Sequence, residues 1–441
     1  MSVLQGVPAT QQELSHRLFQ ARRESDSLFD LVRNDAIYER PIPERHRIIF
    51  YLGHLEAFDW NLLHERVFGV KSFLPELDRL FAFGIDPVGG GLPSDQPSDW
   101  PSLEFVRDYV ARIRGELDRK LADGIGHLDS TEFPLDTLLN VAIEHRLMHV
   151  ETLAYMLHQL PVERKIRQRA PVPPHASPVS PTMIHIPAGE ATLGLARSTE
   201  AFGWDNEFEM HPVRVGAFEI DRYKVSNGQF LDFISAGGYY AAEFWSEEDW
   251  NWKTDQRISH PVFWKRVDES WLYRTMFDEI PLPLEWPVYV SHAEAAAYAR
   301  WARKSLPTEA EWHRAAYGTP NGRENPYPWG SEAPQPDSGN FDLQRWNPVP
   351  VNAFEANQSA FGIHGMAGNG WEWTSTVFAP FPGFEPFSFY RGYSADFFDG
   401  RHFVMKGGSA RTAACMLRPT FRNWFQPHYQ YAYSAFRCVN R

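Results

Sequence analysis

FPLDTLLNVAIEHRLMHVETLAYMLHQL, residues 133–160, decides how the first third of this chain folds. Its apolar residues recur at three- and four-residue spacing, which predicts a long amphipathic helix. His145 and His149 stand four apart within it, so both imidazoles leave one face a turn apart. That spacing suits two ligands of one metal ion. Imidazole serves iron, zinc, copper and nickel alike, so the pair does not identify the metal, and surface or core histidines give the same pattern. A third ligand must come from another helix. His54, in YLGHLEAFDW (51–60), lies among Leu52, Leu55 and Phe58, which turn that helix to the core; His64, ten residues on, faces elsewhere. Glu144 and Glu151 are candidates to orient an imidazole, or are simply solvated helix charges.

Three more segments carry the same helical period: 14–33, 44–68 and 102–124. Four such helices predict an up-and-down bundle spanning residues 1–160. Between the second and third lies GIDPVGGGLPSDQPSDWPS (84–102), whose four Gly and four Pro make it a loop. A bundle connection of that length is usually functional or disordered. Residues 161–182 hold six Pro and the basic ERKIRQR, which predicts an interdomain linker. From residue 183 to 441 the chain turns Gly-, Pro- and aromatic-rich, with short strand-like runs (MIHIPAG, PVRVGAFEIDRY, FVMKGGS) and helices expected at SNGQFLDFISAGG and SHAEAAAYARWARK.

Composition agrees with two differently built parts. Of 16 Trp in 441 residues, only Trp60 and Trp100 precede residue 200. Forty-three Lys and Arg against 56 Asp and Glu leave a net charge of −13, which argues against nucleic acid or an anionic membrane as the main partner. Cys415 and Cys438, the only cysteines, cannot build a disulfide framework and read as reduced thiols. The N-terminal MSVLQGVPATQQE has no basic or apolar signal region, and no run of about 18 apolar residues occurs, so a cytoplasmic protein is expected.

The segments VSNGQFLDF (225–233), PVYVSHAEAAAYARWA (287–302), LPTEAEWHRAA (306–316), GMAGNGWEWT (365–374), GGS (407–409) and AFRCV (435–439) carry a resemblance to the formylglycine-generating-enzyme-like, or sulfatase-modifying-factor-like, fold. The fold class expected is therefore α+β and multidomain: a DinB-like four-helix bundle, then a C-type-lectin-related α+β domain with little regular structure. True formylglycine-generating enzymes use two cysteines shortly after GGS. Here the third position after Ser409 is Thr412 and only Cys415 follows, so copper-thiolate chemistry is not expected. Calcium ions, common in this fold, are possible occupants of the second domain at positions the sequence does not give.

The fused arrangement, with HxxxHxE in the bundle, resembles the ergothioneine-biosynthetic sulfoxide synthases, the EgtB-like non-haem iron enzymes. The resemblance implies Fe(II) on His54, His145 and His149, O₂ as co-substrate, and hercynine, a trimethylated betaine of histidine, receiving a chalcogen on its imidazole carbon. FRNWF (421–425) matches the hercynine-binding segment, which implies Asn423 at the carboxylate and Trp424 at the trimethylammonium, where only cation–π contact can replace a hydrogen bond. FYRGYS (389–394) resembles the family's Tyr-x-x-Tyr segment; Tyr390 then falls at a proton-donating position and Tyr393 at a substrate contact, core packing being the plainer alternative for both.

Members that use γ-glutamylcysteine carry Asn-Ser-Tyr-Tyr and arginines in the long bundle loop, and an Asp after the Asn-Trp pair. Here the loop has no Tyr pair and no arginine before Arg107, Phe425 follows Trp424, and Met148 stands where some members place Gln beside the imidazole. The groups that would pair with an amino-acid donor's charges are missing. That fits the family's selenoneine synthases, whose selenosugar donor is neutral, with Asp86, Asp95 and Asp99 as hydroxyl acceptors or turn caps. An ergothioneine-type synthase using cysteine or γ-glutamylcysteine is the alternative. A non-catalytic DinB-like, lectin-like binding protein is a third reading, and oligomeric state is not legible.

Overall fold

The computed structural model describes residues 10–82, 92–123, 134–168 and 178–441. The chain divides into two compact units at Gln168/Arg169. The first is helical: α1 (Gln11–Phe29), α2 (Ile48–Leu63), a short α3 (Pro75–Leu80), α4 (Leu103–Ala122) and α5 (Leu135–Gln159). Local sequence sets their ends. Thr10 and Ser102 accept the backbone N–H of Glu13 and Phe105, and Pro75 sits in the first turn of α3.

The expectation for α5 was one apolar stripe, yet from Leu138 to His158 almost every residue is buried. It is a central helix packed against both α1 and α2. Its Glu144, His145, Arg146, His149 and Glu151 are therefore buried too, and buried ionisable groups need partners. Part of the expected linker belongs to this unit. Val162–Arg164 form one 3₁₀ turn, Lys165 bridges Val32, and the Ile166 amide donates to the Leu31 carbonyl.

The second unit holds α6 (Asn227–Ser235), α7 (Glu247–Asp255), α8 (His292–Trp301), α9 (Glu309–Tyr317) and short strands. Strands β1 (Met183–Ile186), β4 (Phe218–Asp221) and β12 (Val439–Asn440) form an antiparallel sheet in the order β1-β4-β12. Gly189–Leu193 (β2) pairs with His211–Val215 (β3), and Trp264–Val267, Ser270–Arg274 and Glu279–Pro281 (β5–β7) form a meander. The fourth sheet runs β10-β9-β8-β11, from Asn423–Phe425, Phe403–Lys406, Trp371–Val377 and Ser434–Ala435. Helices α6 and α8 fall where the sequence placed them; α7 and α9, which begin on acidic residues after the caps Ser246 and Thr308, were not expected.

The GNG turn shows why this unit needs glycine. Gly368 has φ +80°, and a Cβ there would lie 2.5 Å from the Asn340 carbonyl oxygen. Next to it, Glu372 on β8 is fully buried and binds Lys224, Arg437 and the Trp312 indole N–H. Such a closed polar network, with large buried aromatics around it, holds a unit whose strands are short.

Candidate metal centre

Helix α2 presents His54 toward α5, and the nitrogen atoms of His54, His145 and His149 lie within 4.8 Å of one another. All three rings are buried. The Nε2 atoms of His145 and His149 are 3.2 Å apart, too close for two protonated nitrogens. Phe50 stacks on the His54 ring at 4.8 Å and Phe58 on His145 at 3.5 Å, each one helical turn from His54 on α2. Tyr51 approaches His149 at 5.6 Å.

The tautomer of His54 follows from its second nitrogen. Its Nδ1–H donates to the Phe81 carbonyl at 2.6 Å, so Nε2 carries the lone pair, and Nε2 is buried with no hydrogen-bond partner among the described residues. Phe81 reaches that position because residue 53 is glycine: its ring occupies the space a Cβ on Gly53 would need. Burial drives the His54 pKa down to about 4 against the pull of the Phe81 carbonyl, and holds His145 and His149 well below the usual value, with their neighbours' charges adding to it. Three neutral imidazoles converging on one point fit a metal ion of the imidazole-binding class and leave coordination positions for other ligands. Among the described residues, this is the one group of three such side chains placed to share a metal.

His64 does not join them. Its Nδ1 bonds the Val70 carbonyl at 2.7 Å and its ring stacks on Trp60. Glu144 and Glu151 are buried on α5, and Met148 is half-buried one position before His149. Asp86 lies outside the described residues. Asp95 pairs with Arg40 and Arg47 and accepts the Trp100 indole N–H at 2.7 Å, while Asp99 accepts the Gln96 amide. Asp99 thus takes the capping role expected as its alternative, whereas Asp95 is tied up by two arginines.

In the second unit the sequence-expected aromatics meet in part. Trp424 stacks on Phe378 at 4.1 Å and meets Tyr393 edge-on at 5.5 Å; Tyr393 stacks on Trp204 at 3.9 Å, and Tyr390 lies 5.6 Å from Tyr393. Burial, and then the charge of Asp205, push the Tyr390 phenol above its ordinary value, which keeps it protonated. Asp205 itself, buried and bonded by the Ser394 hydroxyl, is raised to about 6 chiefly by burial. Strand alternation puts Trp424 on one face of β10 and Asn423 and Phe425 on the other. Asn423 accepts the Trp424 amide, and Phe425 stacks on Tyr429 at 4.7 Å. Sequence reasoning missed Gly53, Phe81, Trp204 and Asp205, because each matters through a contact with residues distant in sequence.

Fold and site together define a two-part protein: a helical unit with a buried three-histidine centre, followed by a sulfatase-modifying-factor-like unit. Residues 168–441 match the family model described as "Sulfatase-modifying factor enzyme 1-like domain". The chain is 36% identical to "Hercynine oxygenase" of Mycolicibacterium thermoresistibile over 94% of this chain and 92% of that protein. It is 35% identical to "Hercynine oxygenase" of Mycobacterium tuberculosis, covering 75% and 76% respectively. "Ergothioneine biosynthesis protein 1" of Schizosaccharomyces pombe is 29% identical over 93% of this chain and 53% of its own length. The chain belongs to the hercynine oxygenase family. Cys415 and Cys438 are not joined in a disulfide, and no helix among the described residues is long and apolar enough to cross a membrane.

Proposed function

We propose that this protein is a mononuclear non-haem Fe(II), O₂-dependent oxidoreductase that forms a carbon–chalcogen bond on the imidazole of hercynine. The observation that carries the reading is the preformed triad of His54, His145 and His149 in a chain similar over nearly its whole length to a hercynine oxygenase. Iron held there would supply activation of O₂. The protein's own part is to keep three nitrogens neutral and aimed, through burial and the Phe81 carbonyl. Trp424, held against Phe378, is proposed to supply the aromatic contact that a quaternary ammonium requires. Asn423 is proposed at the betaine carboxylate, Tyr393 and Met148 as substrate contacts, and Tyr390, kept protonated, as the proton donor. Calcium in the second unit stays a proposal without assigned ligands.

For the donor we favour a neutral selenosugar, which makes the protein a selenoneine synthase. Phe425, stacked on Tyr429, offers no charge at the position after Trp424, and Arg40 and Arg47 are both bridged by Asp95 instead of standing ready for a carboxylate. The names of the relatives favour the second reading, an ergothioneine-type sulfoxide synthase using cysteine or γ-glutamylcysteine. Iron-loaded protein, hercynine and O₂, incubated in parallel with selenosugar, cysteine and γ-glutamylcysteine and read by mass spectrometry, decides. A C–Se product supports the first reading. Consumption of a thiol alone overturns the donor assignment, and untouched hercynine in every tube overturns the enzymatic reading.

A further inference from the structure

Arg146 follows His145 on α5 and is fully buried. A guanidinium taken out of water needs partners, and those of Arg146, which meet both Nη atoms while Nε has none among the described residues, are unusually placed. Nη2 donates to the Leu55 carbonyl at 2.9 Å and to Asp59 at 2.6 Å; Nη1 lies 2.9 Å from Glu56 and donates to the Ser25 hydroxyl of α1 at 3.2 Å. Leu55, Glu56 and Asp59 follow His54 within five residues on α2. Glu56 is held in turn by Arg114 of α4, which forks onto Asp26 of α1 at 2.8 and 2.7 Å. One planar fork thus joins the turn of α2 that carries His54 to the turn of α5 that carries His145 and His149, across 91 residues of chain.

Apolar packing tolerates small slides of one helix along another; three directional hydrogen bonds and an ion pair from one rigid group do not. We infer that Arg146 is the positioning residue of the histidine triad, fixing the register of α2 against α5 so that the three nitrogens converge before any metal arrives. The inference rests on the triad being a metal site.

The test is Co(II) titration of the metal-free full chain, with the visible Co(II) spectrum at saturation as the reporter of coordination and circular dichroism as the control for helix content. Arg146→Met keeps the length of the stem and removes the fork; Arg146→Lys keeps the charge. We expect 10–100-fold weaker Co(II) binding and an altered spectrum for Arg146→Met, with partial recovery for Arg146→Lys. A folded Arg146→Met protein with wild-type affinity and spectrum overturns the inference. If that variant does not fold, Asp59→Asn decides: a changed spectrum at unchanged helix content supports the clamp, and an unchanged one overturns it. Failure of the wild-type chain to bind Co(II) overturns the metal reading itself, and the inference with it.

Discussion

Gly53→Ala is a one-carbon change whose consequence should appear at a metal site it does not touch. The added Cβ would sit 2.5 Å from Cε1, Cε2 and Cζ of Phe81, more than 1 Å inside the usual carbon–carbon contact of about 3.5–4.0 Å. Phe81 is fully buried and has little room to yield. Overpacking of this kind costs about 1–3 kcal/mol, and three simultaneous contacts argue for the upper end. Replacing a mid-helix glycine returns about 1 kcal/mol. The net, about 2 kcal/mol, should lower the Tm of the helical unit by about 4–8 °C. The larger effect is on His54. Its orientation depends on the Phe81 carbonyl at 2.6 Å, and loss of such a support lowers metal affinity about 10–100-fold. Calorimetric Tm and Co(II) titration of Gly53→Ala measure the two terms, and a double-mutant cycle with Phe81→Leu isolates their cause. The smaller side chain should restore both stability and affinity. If Gly53→Ala binds Co(II) like wild type, or if Phe81→Leu restores nothing, the glycine–phenylalanine packing does not aim His54.

Acid should weaken the metal-free helical unit over a defined range. The folded His54 pKa, near 4, lies below the ordinary 6.5, so the unfolded chain binds more protons between these values and stability falls as pH drops. His54 alone should remove about 3 kcal/mol by pH 4, at 1.36 kcal/mol per pKa unit, and denaturant midpoints for His54→Leu should show a flatter slope. His145→Ala and His149→Ala should each abolish stoichiometric metal binding and turnover while His64→Ala leaves both intact; full iron content in His145→Ala, measured by metal analysis, would remove that residue from the ligand set. Trp424→Ala should raise the apparent hercynine constant by the equivalent of about 0.5–2 kcal/mol plus lost packing, and an unchanged titration would take Trp424 out of the site. Tyr390→Phe should slow turnover or alter the product ratio with little change in hercynine affinity, read by product mass spectrometry.

Much of the triad was legible because helical period is a local property. His145 and His149 share a face at any four-residue spacing, and the apolar neighbours of His54 turn it toward the core without reference to the rest of the chain. What could not be read was everything that makes the three nitrogens usable. Nothing in YLGHLEAF says that Gly53 is a seat for a ring 28 positions away, and Arg146 in HRLMH looks like a solvated helix charge until α5 proves buried on every side. The same limit explains the second unit. FRNWF reads as one segment, and the sequence does not show that the partners of Trp424 come from residues 378, 393 and 397. Motifs name the atoms that do chemistry, whereas the residues that aim those atoms are chosen by contacts across tens to hundreds of residues. For that reason the sharpest tests of this protein are Gly53, Phe81 and Arg146 and not the histidines alone: losing a ligand is expected of any metal site, but a site lost through a distant methyl group or a buried fork is specific to this fold.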